Sequence, residues 1–209
     1  MRQAKARLNW YTQRDSDKQK TDMARNEFEA MIYKFKDWLR DDDNSPYCVD
    51  EVREAHLEKL TELEDWLYED GASANYTTYD KERKNLSDLF DSLNNRKVQH
   101  AERETVAATA EKGLEAYEAK LDDLKTTKTW ITDEERQDVT DKIGEIRNWL
   151  KEQLDAQAQL KLSEDPVFQT ADLMKKMAQL KKLFTKVSSK KKPKPPKEDK
   201  VEEEKEEEK

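Results

Sequence analysis

The sequence contains few of the residues on which turns, disulfides and metal sites depend. Among its 209 residues are three glycines, five prolines, one cysteine and two histidines. So few glycines and prolines cannot supply the turns of a β-sandwich or barrel. A single cysteine excludes a disulfide framework within the chain, and one cysteine with two histidines is too small a set for a zinc site of the usual ligand count. We therefore expect no metal site.

Long hydrophobic runs are absent as well. No run approaches the roughly 20 apolar residues of a membrane-spanning helix, and residues 1–25 carry charges throughout, unlike a secretory signal. Hydrophobic residues make up 34% of the chain and charged residues 42%, yet the net charge is only −8 because 40 basic residues face 48 acidic ones. This near balance does not force disorder by self-repulsion. Five tryptophans, seven tyrosines and five phenylalanines also favour a folded chain.

What the sequence does contain is helical periodicity. Residues 1–43 lack glycine and proline and are rich in residues compatible with helix, and an acidic stretch before Pro46 predicts the helix end. A second helix is predicted over residues 49–69, followed by Gly71, where a left-handed glycine commonly closes a helix. Its apolar positions step by three or four residues: Val52, His56, Leu60, Leu63 and Leu67.

The stretch from residue 76 to about residue 125 is also predicted to be helical, in two or three segments. Asn94 and Asn95 are the expected interruption, because asparagine favours turns. Gly113 weakens the helical pattern further along.

The remaining part of the folded region is predicted to form two more helices. Thr132 and Glu135 have the spacing of a capping box, in which a hydroxyl and a carboxylate satisfy two free amides at a helix start. The run at 163–166, which ends in proline, is expected to break this helix. A last helix is predicted over residues 170–187, and the fold class is therefore all-α.

Three segments share one spacing of bulky residues, ending each time in a Trp-Leu pair: residues 32–39, 60–67 and 143–150. A tryptophan can bury on the order of 200 Å², and each buried Å² contributes about 25 cal/mol. We therefore predict that Trp38, Trp66 and Trp149 are structural anchors of the core. The alternative is a ligand cleft lined by tryptophan.

No catalytic or cofactor-binding constellation is recognisable. The three glycines stand alone, so no glycine-rich phosphate loop is present. In a chain with 48 acidic residues, pairs of carboxylates are expected by chance. His56 lies on an apolar stripe and is predicted to be interior or at its boundary, whereas His100 is predicted to be solvated. We predict no catalytic, cofactor-binding or metal-ligating residues, and an enzyme is the least favoured class.

Two triplets have the form of N-glycosylation acceptors: Asn75-Tyr76-Thr77 and Asn85-Leu86-Ser87. They matter only if the chain enters the secretory pathway, and Asn85, on a predicted helix, would then have to face solvent.

The composition changes after residue 188. A Lys/Pro stretch at 190–197 precedes a nearly all-charged stretch at 198–209. Because no core can form from such residues, the segment 188–209 is predicted to be a disordered tail. The lysines could contact nucleic acid, but the neighbouring acidic residues compete for them, so no nucleic-acid partner is expected.

Three segments stand out along the chain: ARNEFEAMIYKFKD at 24–37, LEDWLYEDG at 63–71 and EDPV at 164–167. Together they resemble the large branch of the heat-shock-70 superfamily. Residues 24–37, ARNEFEAMIYKFKD, look like the start of its long lid helix, where an A-R/K-N-x-x-E segment follows a shorter charged helix that residues 1–20 resemble. Residues 63–71, LEDWLYEDG, are similar to the W-L-Y-E-E/D-G motif of that branch. Trp149-Leu150 and Glu164-Asp165-Pro166-Val167 look like its later helix and D-P-V break.

The resemblance implies an architecture and a set of partners. It implies lid helices over 1–45, an extended antiparallel helical bundle over 46–187 and a tail over 188–209. The chain would be part of a larger chaperone whose ATP-binding ATPase domain lies elsewhere, so that no cofactor is held here. The implied partners are that ATPase domain, the ATPase domain of a separate heat-shock-70 chaperone whose ADP release is promoted, and unfolded polypeptide clients.

The branch contains a cytosolic heat-shock-110 group and an endoplasmic reticulum group of 170-kilodalton glucose-regulated, or hypoxia up-regulated, proteins. Arg25 before Asn26 and the basic, proline-containing stretch after the last helix look more like the second group. The implied compartment is therefore the endoplasmic reticulum lumen, with the cytoplasm as the alternative.

A second function class remains open from the sequence: a spectrin-like or coiled-coil structural segment. It explains the helices, the charge and the tryptophan positions equally well. It predicts sustained heptads and a self-associating rod, whereas the stripes here are interrupted at Pro46, Gly71 and Pro166.

Overall fold

The structure, a computed structural model, describes residues 2–193, and the regular elements in that range are helices. The α-helices are α1 (Arg2–Arg40), α2 (Asp50–Tyr68), α3 (Tyr76–Thr127), α4 (Asp133–Gln157) and α5 (Thr170–Ser188). Short 3-10 turns at Asp42–Tyr47 and Asp70–Ser73 lead into α2 and α3. The predicted all-α fold is confirmed. Residues 194–209, which make up most of the predicted tail, lie outside the described part of the chain.

The described chain divides into two compact units. The first comprises the residues up to Ala107 together with Glu152–Thr170, and the second comprises Ala108–Lys151 together with the described residues from Ala171 onward. Helix α3 therefore contributes to both units. The division into lid and bundle at residue 45 is a different, functional one, and it stays a prediction.

Aromatic contacts give the helix directions in the first unit. Phe28 lies 6.1 Å from Trp66, whereas Phe35, further along α1, lies 5.6 Å from His56, nearer the start of α2, measured between ring centroids. Helices α1 and α2 are therefore antiparallel. Phe35 also lies 5.5 Å from Phe90 of α3, and Phe28 lies 6.5 Å from Tyr79 at the start of that helix. Helix α3 therefore runs in the same direction as α1, and the unit is an up-down-up bundle.

The core of the first unit is built from one face of each of these helices. The buried positions of α1 step by four, four, three and four residues, which keeps them on one stripe. The buried residues of this core are Ala24, Phe28, Ile32, Phe35, Leu39, Cys48, Leu60, Leu67, Tyr79, Leu86, Phe90 and Leu93. Because the four aromatic members bury large areas, a chain with little hydrophobic content still forms a continuous core.

The second unit has the same up-down-up arrangement of α3, α4 and α5. Tyr117 of α3 lies 5.1 Å from Phe184 of α5 between ring centroids. The ammonium of Lys176 in α5 lies 4.7 Å from the ring centre of Trp149 near the end of α4. The core residues of this unit include Leu114, Leu121, Leu124, Ile131, Val139, Ile143, Ile146, Leu150, Leu173 and Leu180.

The capping box at the start of α4 is confirmed. The backbone N–H of Glu135 donates to Thr132 Oγ1 at 3.2 Å, and the N–H of Thr132 donates to Glu135 Oε2 at 3.1 Å. The same carboxylate accepts a hydrogen bond from Lys190 Nζ at 2.8 Å, just beyond α5. One glutamate therefore both starts α4 and holds the chain that leaves α5.

Two predicted helix interruptions are wrong. Helix α3 is continuous through Asn94 and Asn95, where a break was expected. Asn94 is held in the helix by a tertiary contact, because Trp38 Nε1 donates to its Oδ1 at 3.2 Å. Helix α1 is also continuous, although the resemblance implied a separate short helix over residues 1–20.

The prediction for Gly71 is also wrong. None of the described glycines has a positive φ, so Gly71 does not close α2 in a left-handed conformation. It is buried against Trp66 instead: a Cβ at this position would lie 2.7 Å from two ring atoms and from the backbone oxygen of that tryptophan. Tyr79 Oη donates to the carbonyl oxygen of Gly71 at 2.6 Å. Glycine is required here because of close packing.

The apolar stripe predicted on α2 is buried in only part of its length. Leu60 and Leu67 are in the core, whereas Val52 is exposed. Val52 lines an open groove between α2 and α3, together with His56 and Leu89. Periodicity identified the correct face of α2 and did not predict how far along that face the core extends.

Candidate interaction surface

A polar network lies on the surface where α1 and α2 meet. Tyr33 Oη donates to Glu64 Oε1 at 2.8 Å, and Lys36 Nζ donates to the other carboxylate oxygen. Lys36 is buried, with 5% of its surface exposed. Because an ammonium group is costly to bury without a partner, Glu64 is the residue that makes this position tolerable for lysine.

Hydrogen bonding fixes the protonation states in this network. The bond from Lys36, and then the bond from Tyr33, lower the pKa of Glu64. The hydrogen bond to Glu64 in turn raises the pKa of Tyr33 above its usual range. At neutral pH, Glu64 is therefore an anion and Tyr33 is neutral, so Tyr33 donates this hydrogen bond and Glu64 accepts it.

A second tyrosine extends the network along α2. Tyr68 Oη donates to Glu29 on α1, and this bond raises the pKa of Tyr68. The guanidinium carbon of Arg25 lies 5.7 Å from the centre of the Tyr68 ring. We name the surface formed by Arg25, Glu29, Tyr33, Glu64 and Tyr68 the tyrosine face.

The tyrosine face has the chemistry of a protein-binding surface. Tyr33 is 43% exposed and Tyr68 50% exposed, although both hydroxyls are held by carboxylates. Tyrosine and arginine are enriched where proteins bind one another. Rings held in place before a partner arrives lose little conformational freedom on binding.

Sequence reasoning did not identify this surface. The structure exposes the charged residues Glu27, Lys34, Asp37 and Arg40 along α1, and α2 supplies Glu64 and Tyr68. The signal was available in the LEDWLYEDG segment, because Glu64 and Tyr68 are four residues apart and therefore on one helical face.

The three tryptophans are half-buried and lie in different units. Trp38 and Trp66 belong to the first unit, and Trp149 belongs to the second. The leucines that follow them, Leu39, Leu67 and Leu150, are buried. The role of the tryptophans as anchors stays a prediction.

The two histidines and the cysteine are separately placed. His56 is half-buried beside Phe35, and burial lowers its pKa. His100 is exposed, 5.9 Å from the ring centroid of Tyr47. Cys48 is a buried free thiol whose pKa is raised by burial. Within residues 2–193, no group of three or more histidine, cysteine, aspartate or glutamate residues is arranged to hold a metal ion.

The two acceptor asparagines are both exposed, in different local structures. Asn75 directly precedes α3, and its Oδ1 accepts a hydrogen bond from the backbone N–H of Thr78 at 3.0 Å. Asn85 lies inside α3 and borders a groove between α2 and α3. Among the described helices, none combines the length and the apolar character needed to cross a bilayer.

Comparison with known proteins gives matches over most of the chain. Residues 116–191 match the family model described as "HYOU1-like, C-terminal domain". Heat shock 70 kDa protein 17 of Arabidopsis thaliana is 29% identical over 92% of this chain and 22% of its own length. Heat shock 70 kDa protein 4 of Rattus norvegicus is 26% identical over 85% of this chain and 21% of its own length.

A third relative, the 97 kDa heat shock protein of Strongylocentrotus purpuratus, is 28% identical over 85% of this chain and 20% of its own length. The chain thus spans about a fifth of the length of these relatives. No solved structure matches it. These findings confirm the resemblance to the C-terminal helical region of large heat-shock-70-superfamily chaperones.

Proposed function

We propose that this chain is the helical lid and bundle of a large heat-shock-70-like molecular chaperone, and that it supports nucleotide exchange on a partner heat-shock-70 chaperone. In this proposal residues 1–45 form the lid and residues 46–187 the bundle. The ATP-binding ATPase domain belongs to the rest of the parent protein, and the chain itself is not an enzyme. The tyrosine face is the observation that carries the docking role.

The tyrosine face fits reversible docking on an ATPase domain. It offers two exposed rings whose hydroxyls are already fixed, beside the mixed charges of α1. Charged surfaces speed encounter and make binding sensitive to salt, whereas the rings supply contact area. Such a surface favours repeated association and release over permanent assembly, as nucleotide exchange requires.

Two further parts of the proposal rest on the resemblance. The same region helps to hold unfolded polypeptide clients, for which the exposed apolar residues Val49, Val52 and Leu89 beside the α2–α3 groove offer contact area. The proposed compartment is the endoplasmic reticulum lumen, with the cytoplasm as the alternative. The role belongs to protein folding and the stress response.

Binding to the isolated ATPase domain of a heat-shock-70 chaperone tests the docking role. The 209-residue chain and the variants Tyr33→Ala and Tyr68→Ala are titrated by calorimetry at low and moderate salt, and ADP release is then followed with a fluorescent nucleotide. We expect binding that weakens with salt and falls about tenfold for each variant, since a central interface tyrosine is worth more than about 1 kcal/mol.

Met174→Ala is the control, because Met174 is also an exposed large side chain but lies on α5, away from the tyrosine face on α1 and α2. Its binding should equal that of the unaltered chain. A stable homodimer that ignores the ATPase domain would instead support the spectrin-like structural alternative. Binding unaffected by both tyrosine substitutions would show that the tyrosine face is not the docking surface.

A further inference from the structure

The first acceptor triplet has its reactive groups on one side of the chain. Asn75 Oδ1 accepts hydrogen bonds from Thr77 Oγ1 at 2.6 Å, from Thr78 Oγ1 at 3.1 Å and from the N–H of Thr78 at 3.0 Å. The asparagine lies in the short non-helical link before α3 and is exposed. The Asn75 amide and the Thr77 hydroxyl are therefore close together, so the active site of one transferase could reach both groups.

The second triplet has these groups on opposite sides of a helix. Asn85 borders the groove between α2 and α3, whereas Ser87 borders a groove between α1 and α3. Ser87 Oγ donates to Asp91 Oδ2 at 3.2 Å, within α3 itself. Residues two apart on an α-helix do not face each other, so one active site cannot reach both groups unless α3 unwinds.

We propose that the folded chain is N-glycosylated at Asn75 and not at Asn85. The proposal rests on the endoplasmic reticulum compartment proposed above, because the donor is a lipid-pyrophosphate-linked oligosaccharide. Asn75 Nδ2 attacks the anomeric carbon of that donor. A new N–C bond replaces the C–O bond, the amide gives up one proton to a base of the transferase, and the lipid pyrophosphate leaves with the electron pair.

Glycosylation at Asn75 is compatible with the start of α3. The cap uses Oδ1, and the amide product keeps this oxygen as an acceptor while the sugar is attached to Nδ2. A side chain that accepts a bond from the third residue is what a helix start needs. The attached glycan would extend from the exposed link into solvent and leave the buried neighbour Tyr79 in place.

The test uses the folded 209-residue chain, made in bacteria and incubated with detergent-permeabilised microsomal membranes and their lipid-linked donor, so that the chain reaches the luminal transferase. Mass spectrometry counts the glycans and locates them. We expect one glycan on the unaltered chain, on Asn85→Gln and on Ser87→Ala, and none on Asn75→Asp or Thr77→Val. Asn75→Asp is the informative variant, because aspartate caps a helix as well as asparagine but offers no amide nitrogen.

Circular dichroism of each variant checks that the helices remain. A glycan on Asn85 of the folded chain would overturn the proposal. The proposal would also fail if the chain stayed unmodified while a short acceptor peptide added to the same reaction was glycosylated. This readout is independent of docking and nucleotide exchange. Failure of the ATPase-domain titration would therefore not contradict glycosylation at Asn75, and failure of glycosylation would not contradict docking.

Discussion

At the scale of residues, Gly71 is required for tight packing, although its place after a helix suggests that glycine is needed for a left-handed backbone. Its backbone does not need glycine, because its φ is negative. Glycine is needed because there is no room for a side chain: the ring and carbonyl oxygen of Trp66 occupy the region where a Cβ would be placed. A sequence pattern can indicate a glycine that ends a helix, but not which ring lies against it, since that depends on the tertiary fold.

Substituting Gly71 by alanine should therefore destabilise the chain. The added methyl group would have to displace Trp66, and overpacking of this kind costs about 1–3 kcal/mol. Gly144→Ala is the matched control, because Gly144 is inside α4 and a Cβ there has nothing within 4 Å. That control should gain about 0.5–1 kcal/mol, as alanine is the better helix former. Urea unfolding measures both, and equal effects would contradict this reasoning.

The tryptophans give a second lesson at the scale of residues. The repeated spacing predicted one helical face in each segment, and most of its other bulky positions are buried: Ile32, Phe35, Leu39, Leu60, Leu67, Ile143, Ile146 and Leu150. The sequence did not show that Trp38, Trp66 and Trp149 themselves are only half-buried. The indole N–H of a tryptophan usually needs a hydrogen-bond acceptor when the ring is buried. Trp38 donates this hydrogen bond to Asn94.

At the scale of elements, local signals gave most helix ends and failed inside the longest helix. The apolar steps correctly indicated α2 and α5 to within one or two residues, and the capping box indicated the start of α4. The end of α4 was predicted too late, because the helix stops at Gln157, before the expected break at 163–166. The expected break in α3 did not form, because asparagine costs a helix less than about 1 kcal/mol. Contacts such as Trp38–Asn94 outweigh so small a preference.

The capping box offers a direct test at this scale. Thr132→Ala removes the hydroxyl that accepts from the N–H of Glu135, and we expect a loss of about 1 kcal/mol in the free energy of unfolding. Thr140→Ala is the control, because Thr140 is exposed inside α4 and its hydroxyl bonds only a preceding carbonyl. Its unfolding midpoint in urea should stay the same or rise slightly. If Thr140→Ala lost as much stability as Thr132→Ala, the stabilising role of the Thr132 cap would be contradicted.

At the scale of the whole molecule, the described chain combines two small cores with a heavily charged surface. Composition and apolar spacing correctly indicated an all-α chain. They could not give the two units, because the residues that build each unit come from distant parts of the chain. The tyrosine face was missed for the same reason: Glu29 and Tyr68 are 39 residues apart.

The carboxylates predict that acid destabilises the whole molecule. Hydrogen bonds from basic side chains lower the pKa of five groups: Glu64, Glu118, Asp133, Glu135 and Glu145. A lowered pKa in the folded state contributes stability that is complete above the unfolded values, near about 4. That stability is lost as the pH falls through the lower, folded values. These carboxylates should therefore lower the urea midpoint below about pH 5. His56, whose pKa is also lowered by burial, adds a loss that begins below its unfolded value, near about 6.5.

Glu64→Gln tests this effect at the buried Lys36. At neutral pH it should cost about 1–3 kcal/mol, because Lys36 is left without its charged partner. The midpoint should also depend less on pH than in the unaltered chain. Glu62→Gln is the control: Glu62 and its partner Lys59 are both exposed, and such a pair contributes less than about 1 kcal/mol. Identical pH profiles for the two variants would refute the assignment.

The contacts around Lys190 have a practical consequence. Trp130 Nε1 donates to the carbonyl oxygen of Lys190 at 2.9 Å, and Lys190 Nζ bonds Glu135. Two bonds on one residue fix the point from which the Lys/Pro stretch departs. A fluorescent dye or a fused reporter attached directly after Pro193 would thus start from a known position, which suits energy-transfer measurements of how this chain approaches a bound protein.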